Sequence, residues 1–274
     1  MKIRIVRLFF AVFLGLFSLM CMADQRESNI DQLIVLSGLK TQVSSFPGQV
    51  KAGVLQAASP GGIGEAQVSN ILESVDNTIM PAVILREIRS SLAASLNDEE
   101  TATLLKWYES DVGRRVTTAE EAASTPEAYE EMMQNAQMLT ENDRRVQMAM
   151  RIDELVGATK MGMEMQDSTS VAIYSAMMAA MAPGQPVDIE AYEKEMEKIE
   201  PQIREQVQSL VMVSFLYTYQ SISDDDMKKY EIFLSRPTSK KFNDSALSGM
   251  ARGFDEVVND LAGELAVIMQ SDAA

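Results

Sequence analysis

One helical motif is written twice in this chain, and that recurrence restricts its fold more than any other feature. Leu96-Asn97-Asp98-Glu99-Glu100 is echoed by Ile222-Ser223-Asp224-Asp225-Asp226. The echo runs on through Leu104/Tyr230, Trp107/Phe233, Tyr108/Leu234, Arg114/Lys240, Arg115/Lys241 and Val116/Phe242, all at an offset of 126 residues. Nearer the N-terminus, Ile30-Asp31-Gln32-Leu33-Ile34 returns as Ile152-Asp153-Glu154-Leu155-Val156 at an offset of 122. Two matches in one order, at offsets four apart, are what a duplication with one small insertion leaves behind. The expected units run over 24–139 and 140–274, with Thr140 capping the helix that carries Ile152. No long flexible linker separates them, so the halves pack together or share a continuous helix.

Between breaks the apolar residues return every three or four positions, as in Leu33, Leu36 and Leu39, or Ile203, Val207, Leu210 and Val211. No run alternates as a strand would, so the expected class is all-α: tandem helical-bundle units with helix–turn–helix corners. Phe46-Pro47-Gly48, Ser59-Pro60-Gly61-Gly62-Ile63-Gly64 and Pro183-Gly184-Gln185-Pro186 read as loops, and Pro81, Pro126, Pro201 and Pro237 as helix starts or kinks. Asn97 with Glu100 and Ser223 with Asp226 each set a capping side chain three residues before a carboxylate; Thr125-Pro126-Glu127 reads as cap, first-turn proline and first-turn acid.

Lys2, Arg4 and Arg7, an apolar run from Leu8 to Leu19 and Cys21-Met22-Ala23 have the layout of a secretory leader cleaved after Ala23. Met20 stands where a lipoprotein needs a small residue, so a soluble periplasmic or secreted product is expected, with no span in the mature chain. Cys21 is the only cysteine and histidine is absent, so the mature chain is left without a disulfide, a thiolate nucleophile, a thiolate or imidazole zinc site, or a His-assisted serine. The net charge of −16 becomes −19 once the three leader cations are removed, a field that repels phosphate backbones and disfavours nucleic acid.

The segment Leu104-Leu105-Lys106-Trp107-Tyr108-Glu109-Ser110-Asp111-Val112-Gly113-Arg114-Arg115-Val116 resembles the signature of the domain of unknown function 2059 family of exported bacterial proteins. That signature is an aromatic pair, a spacer, Ser-Pro, a spacer, Gly and a basic or polar residue. The first copy supplies Trp107-Tyr108, Ser110, Gly113 and Arg114, with Asp111 in place of the proline; the second supplies Phe233, Pro237 and Lys240, with Leu234, Arg236 and Ser239 elsewhere. The resemblance brings no activity with it. Physically the segment is a tight corner in which Ser110 caps a helix begun by Asp111 and Gly113 lets backbones approach. Arg114 and Arg115, with Lys240 and Lys241, are repeated basic pairs that either contact a partner or neutralise Glu109, Asp111 or Glu120.

Eleven methionines fall between Met132 and Met181. On a helix Met161 and Met165 share a face, as do Met177 and Met181, whereas Met163 points away from its neighbours. Core packing is the plainest reading; a pliable groove around Met161, Met165, Met177, Met178 and Met181 is the next, and Cu(I) on thioethers a third. Glu27-Ser28, Glu73-Ser74 and Glu109-Ser110 could supply a lone acid for a carboxylate-dependent cell-wall hydrolase, but no sugar-binding context accompanies them. Asp224-Asp225-Asp226 opens a helix and lacks calcium-loop spacing. No catalytic residue, metal ligand or cofactor is assigned. The expected role is binding another exported or envelope protein, as an adaptor or chaperone-like module, with a homodimer as a further possibility.

Overall fold

A computed structural model describes residues 25–58, 65–182 and 185–272. The expected leader and the Ser59–Gly64 and Pro183-Gly184 breaks lie outside them. Helices follow one another throughout: α1 (25–36), α2 (Leu39–Ala58), α3 (Glu65–Thr78), α4 (Pro81–Ser95), α5 (Asp98–Tyr108), α6 (Asp111–Ala122) and α7 (Pro126–Leu139). The second half supplies α8 (Asp143–Val156), α9 (Ala158–Met181), α10 (Ile189–Met196), α11 (Glu200–Thr218), α12 (Asp224–Leu234) and α13 (Pro237–Asp272). The described residues contain no strand, so the class is all-α.

The capping signals act where the sequence put them. Asn97 Oδ1 accepts the N–H of Glu100 at 2.9 Å and Glu100 Oε2 accepts that of Asn97 at 2.9 Å, closing a reciprocal box at the start of α5. Ser223 accepts from Asp226 at α12, Ser110 from Gly113 at α6 and Thr125 from Ala128 at α7. Pro81, Pro126 and Pro237 open their helices, and Pro201 sits in the first turn of α11. Two expectations are corrected. Asn142, not Thr140, caps α8 by accepting from Arg145 at 3.2 Å, while Thr140 ends α7. Phe46-Pro47-Gly48 is not a loop but lies inside α2: Val43 is buried and Phe46 meets Phe254 edge-on at 5.8 Å, so packing on α13 carries the helix past the proline.

The first helices of the two halves make the same contacts. Arg26 of α1 donates to the carbonyl of Leu96 at 2.8 Å and pairs with Asp98 at 3.7 Å; Arg145 of α8 donates to the carbonyl of Ile222 at 2.8 Å and pairs with Asp224 at 3.1 Å. Left-handed glycines then end the turn, Gly38 after α1 and Gly157 after α8. Both matches set α1 against α8 at a separation of 119 residues. The Ile30/Ile152 echo at 122 is therefore one helical turn out of register with the contacts, which pair buried Ile30 and Leu33 with buried Ala149 and Ile152.

A single buried core draws on both halves, including Ile30, Ile84, Ile88 and Leu104 from the first and Ile152, Phe233, Phe242 and Val257 from the second. Its spine is α13, which lies along α4 on one side and α9 on the other. Contact with α4 is backbone to backbone. A Cβ on Gly249 would stand 2.6 Å from Ile88 Cα and 2.7 Å from the Glu87 carbonyl oxygen, and one on Gly253 would stand 2.6 Å from Ile84 Cα.

Candidate functional site

Two places concentrate unusual chemistry: the seam where the corners of the halves meet, and the outer face of α9. At the seam, Ser110 Oγ accepts from Gly113 N–H at 3.1 Å and donates to the Trp107 carbonyl at 2.6 Å, folding α6 tightly back on α5. A side chain on Gly113 would collide with the Trp107 carbonyl and Tyr108 Cα, which is why glycine stands there. The turn presents Trp107 flat on Phe233, ring centroids 4.3 Å apart and planes 8° apart, while Tyr108 meets Phe233 and Phe242 edge-on at 5.7 and 5.9 Å. Pro237 begins α13 directly beyond, in the second corner.

Ion pairs flank the aromatic stack. Arg115 of α6 reaches Asp226 at the start of α12 at 2.6 Å, and Lys241 of α13 reaches Glu100 at the start of α5 at 2.8 Å. Arg115 thus pairs across the seam, not with Glu109, Asp111 or Glu120 as the neutralising reading had it; Arg114 and Lys240 are exposed. The Lys241 and Asn97 hydrogen bonds hold the Glu100 carboxyl below the usual range, and those of Lys229 and Arg115 do the same for Asp226.

Behind the stack sits Glu120, reaching from α6 into the second half. Its Oε1 accepts the Tyr219 hydroxyl at 2.7 Å and the Tyr230 hydroxyl at 2.9 Å. Burial pushes its pKa up to about 6 against the opposing pull of those two hydrogen bonds. Burial first, and then the charge of Glu120, raises the phenols of Tyr219 and Tyr230 well above their ordinary value. Nothing local in the sequence marks Glu120; only the partners supplied by the other half, a hundred residues away, make it a partly buried anchor.

The methionines divide by surroundings. Met161 and Met163 are both buried, because α9 is covered by α8, α11 and α13, and Met165 packs against the core. Met161 therefore lines no outer groove, which corrects its assignment as an interaction residue; Met165 is partly covered too. Met177 and Met181 are 43% and 75% exposed, and with Ile173 at 48% they form one outward stripe at four-residue spacing, with Met178 half-buried beside it. From Ser168 to Ala182 the chain has no charge. Tyr192 stacks on Tyr174 at 4.3 Å and docks α10 alongside, with Glu190, Glu193, Glu195 and Glu197 exposed. Ile173 is the stripe residue that the methionine count missed, although the i, i+4, i+8 spacing was legible.

Two clefts lie elsewhere on the described surface. One of about 230 Å³ between α8 and α11 is lined by Met150, Asp153, Glu205 and Met212; another of about 300 Å³ between α9 and α13 is lined by Glu164, Met165, Asp167, Phe254 and Asp255. Burial, with help from Glu200 and Glu164, raises the Asp167 carboxyl. No group of three or more acidic side chains among the described residues is arranged to hold a metal ion. The Glu-Ser dipeptides are held in contacts: Glu27 pairs with Arg89, Glu109 accepts from Gln32, and Ser74 is buried. No described helix is long and apolar enough to cross a membrane.

Residues 83–141, covering α4 to α7 and the Trp107–Arg114 corner, match the model of the DUF2059 family, described as an uncharacterized protein conserved in bacteria. The match covers the first corner and not the second. No curated protein and no solved structure matches the chain.

Proposed function

We propose that this chain is an exported helical interaction protein, periplasmic or secreted after loss of residues 1–23, acting as an adaptor or chaperone-like module. It holds an apolar segment of another exported or envelope protein on the outer face of α9. The observation that carries this reading is the Ile173–Met177–Met181 stripe, an uncharged apolar row left open to water on a chain of net charge −16. Thioethers adapt to many shapes, which suits varied apolar segments, and the carboxylates of α10 border the stripe so that segments carrying lysine or arginine are favoured. The matched contacts of Arg26 and Arg145, and the matched caps of Asn97 on α5 and Ser223 on α12, support a duplicated unit that displays α9 on a rigid frame.

A photo-reactive residue in place of Met177, activated in cells and followed by mass spectrometry, tests the reading. A recurrent adduct that disappears with Ile173→Glu and Met181→Glu, at unchanged circular dichroism, is expected. An adduct pattern equal to that of an unrelated exported protein, or one indifferent to those substitutions, refutes it.

A further inference from the structure

The contacts between the halves come in reciprocal pairs. Arg115 of the first half meets Asp226 of the second, and the residue 126 positions after Arg115, Lys241, meets the residue 126 positions before Asp226, Glu100. Trp107 lies on Phe233, its own counterpart at that same offset. The long helices follow suit: α13 of the second half covers α4, while α6 and α7 of the first contact α11. In a head-to-tail arrangement, counterparts do not touch and a contact from i to j is not answered by one from j to i. Only a two-fold relation produces both, with the axis between Trp107 and Phe233.

We propose that the seam is a homotypic recognition surface: the corner of each half is complementary to a copy of itself, the chain is a two-fold dimer fused through the connector at 140–142, and the external partner this surface fits is the same half of a second chain. The charges make the surface self-complementary. Each corner carries one acid, Glu100 or Asp226, and one base, Arg115 or Lys241, so a first half facing another first half sets Arg115 against Glu100 twice. Each ring at the axis has an aromatic partner in either pairing, whereas Glu120 finds its phenols, and Ile84 and Ile88 their facing glycines, only in the other half, so the pairing within one chain prevails until its corner charges are reversed. This inference is independent of the α9 reading.

Charge reversal in the full chain tests it. In Asp226→Lys/Lys241→Glu the halves of one chain repel at both pairs, while first half on first half and second half on second half stay complementary. The expected result is a dimer by light scattering at low ionic strength. Adding Glu100→Lys/Arg115→Glu restores attraction within the chain, and the monomer returns. A double variant that stays monomeric, or a fourfold variant that does not revert, overturns the proposal. A second measurement holds even if the double variant fails to fold. Full chain carrying a protease site at 140–142, cut after folding, gives paired first halves and paired second halves by native mass spectrometry; mixed pairs alone overturn the proposal.

Discussion

Replacing Gly249 by alanine puts the packing of α13 on α4 to a quantitative test. The new Cβ would stand 2.6 Å from Ile88 Cα and 2.7 Å from the Glu87 carbonyl, against an ordinary contact of 3.4–4 Å, and both obstacles are backbone that no rotamer change can move. The helices must part by roughly 1 Å, and overpacking of this kind costs about 3 kcal/mol at the upper end of its range. Alanine returns about 1 kcal/mol of helix propensity, leaving a net loss of about 2 kcal/mol. With an m-value of about 3 kcal/mol/M, the urea midpoint falls by roughly 0.7 M at unchanged slope. Gly263 lies on the same helix with nothing within 4 Å of its added Cβ, so Gly263→Ala raises stability by up to about 1 kcal/mol. The same chemical change on one helix thus carries opposite signs. Stabilisation by both substitutions refutes the close-approach reasoning. Gly249→Ala with Gly253→Ala loses less than the sum, since one displacement relieves both clashes.

Other perturbations follow from the seam and from α2. Glu120 has a folded pKa of about 6, above that of an unfolded glutamate, so the folded chain binds more protons between those values. Its stabilising contribution is full below about pH 4.5 and lost as pH rises through about 6; Glu120→Gln flattens that slope in melting curves taken from pH 4 to 7. Trp107 Nε1 is buried without a hydrogen-bond partner, so Trp107→Phe keeps the stack on Phe233 at a cost under about 1.5 kcal/mol, whereas Trp107→Ala loses about 3 kcal/mol or more by urea titration. Pro47→Ala restores an N–H donor in mid-helix and raises the melting temperature, an outcome that calorimetry checks and that a kink required by packing would reverse.

Local signals were legible because their physics is local. Asn97, Ser110, Thr125 and Ser223 cap helices through hydrogen bonds spanning three residues, and first-turn prolines need only their own geometry. Phe46-Pro47-Gly48 misled because local breaker chemistry lost to Val43 and Phe46 packing on distant partners. Met161 misled because helical periodicity assumes one wet face, and α9 has neighbours on several sides. The basic residues at 115 and 241 were visible as a repeat, but their crosswise pairing depends on a relation between halves that no single stretch contains. Gly249 and Gly253 offered a four-residue spacing of small residues on an amphipathic helix, a pattern whose meaning appears only when the facing helix is known.

The return of α13 to α4 also imposes a timetable on synthesis. Ile84 and Ile88 leave the ribosome long before Pro237, and at about 5–20 residues per second their cover arrives roughly ten to thirty seconds later. Until then the first half carries an open apolar face, and the late, distant contact slows closure relative to bundles whose neighbours in space are neighbours in sequence. Interrupted translation therefore yields a fragment whose most adhesive surface still awaits the last helix.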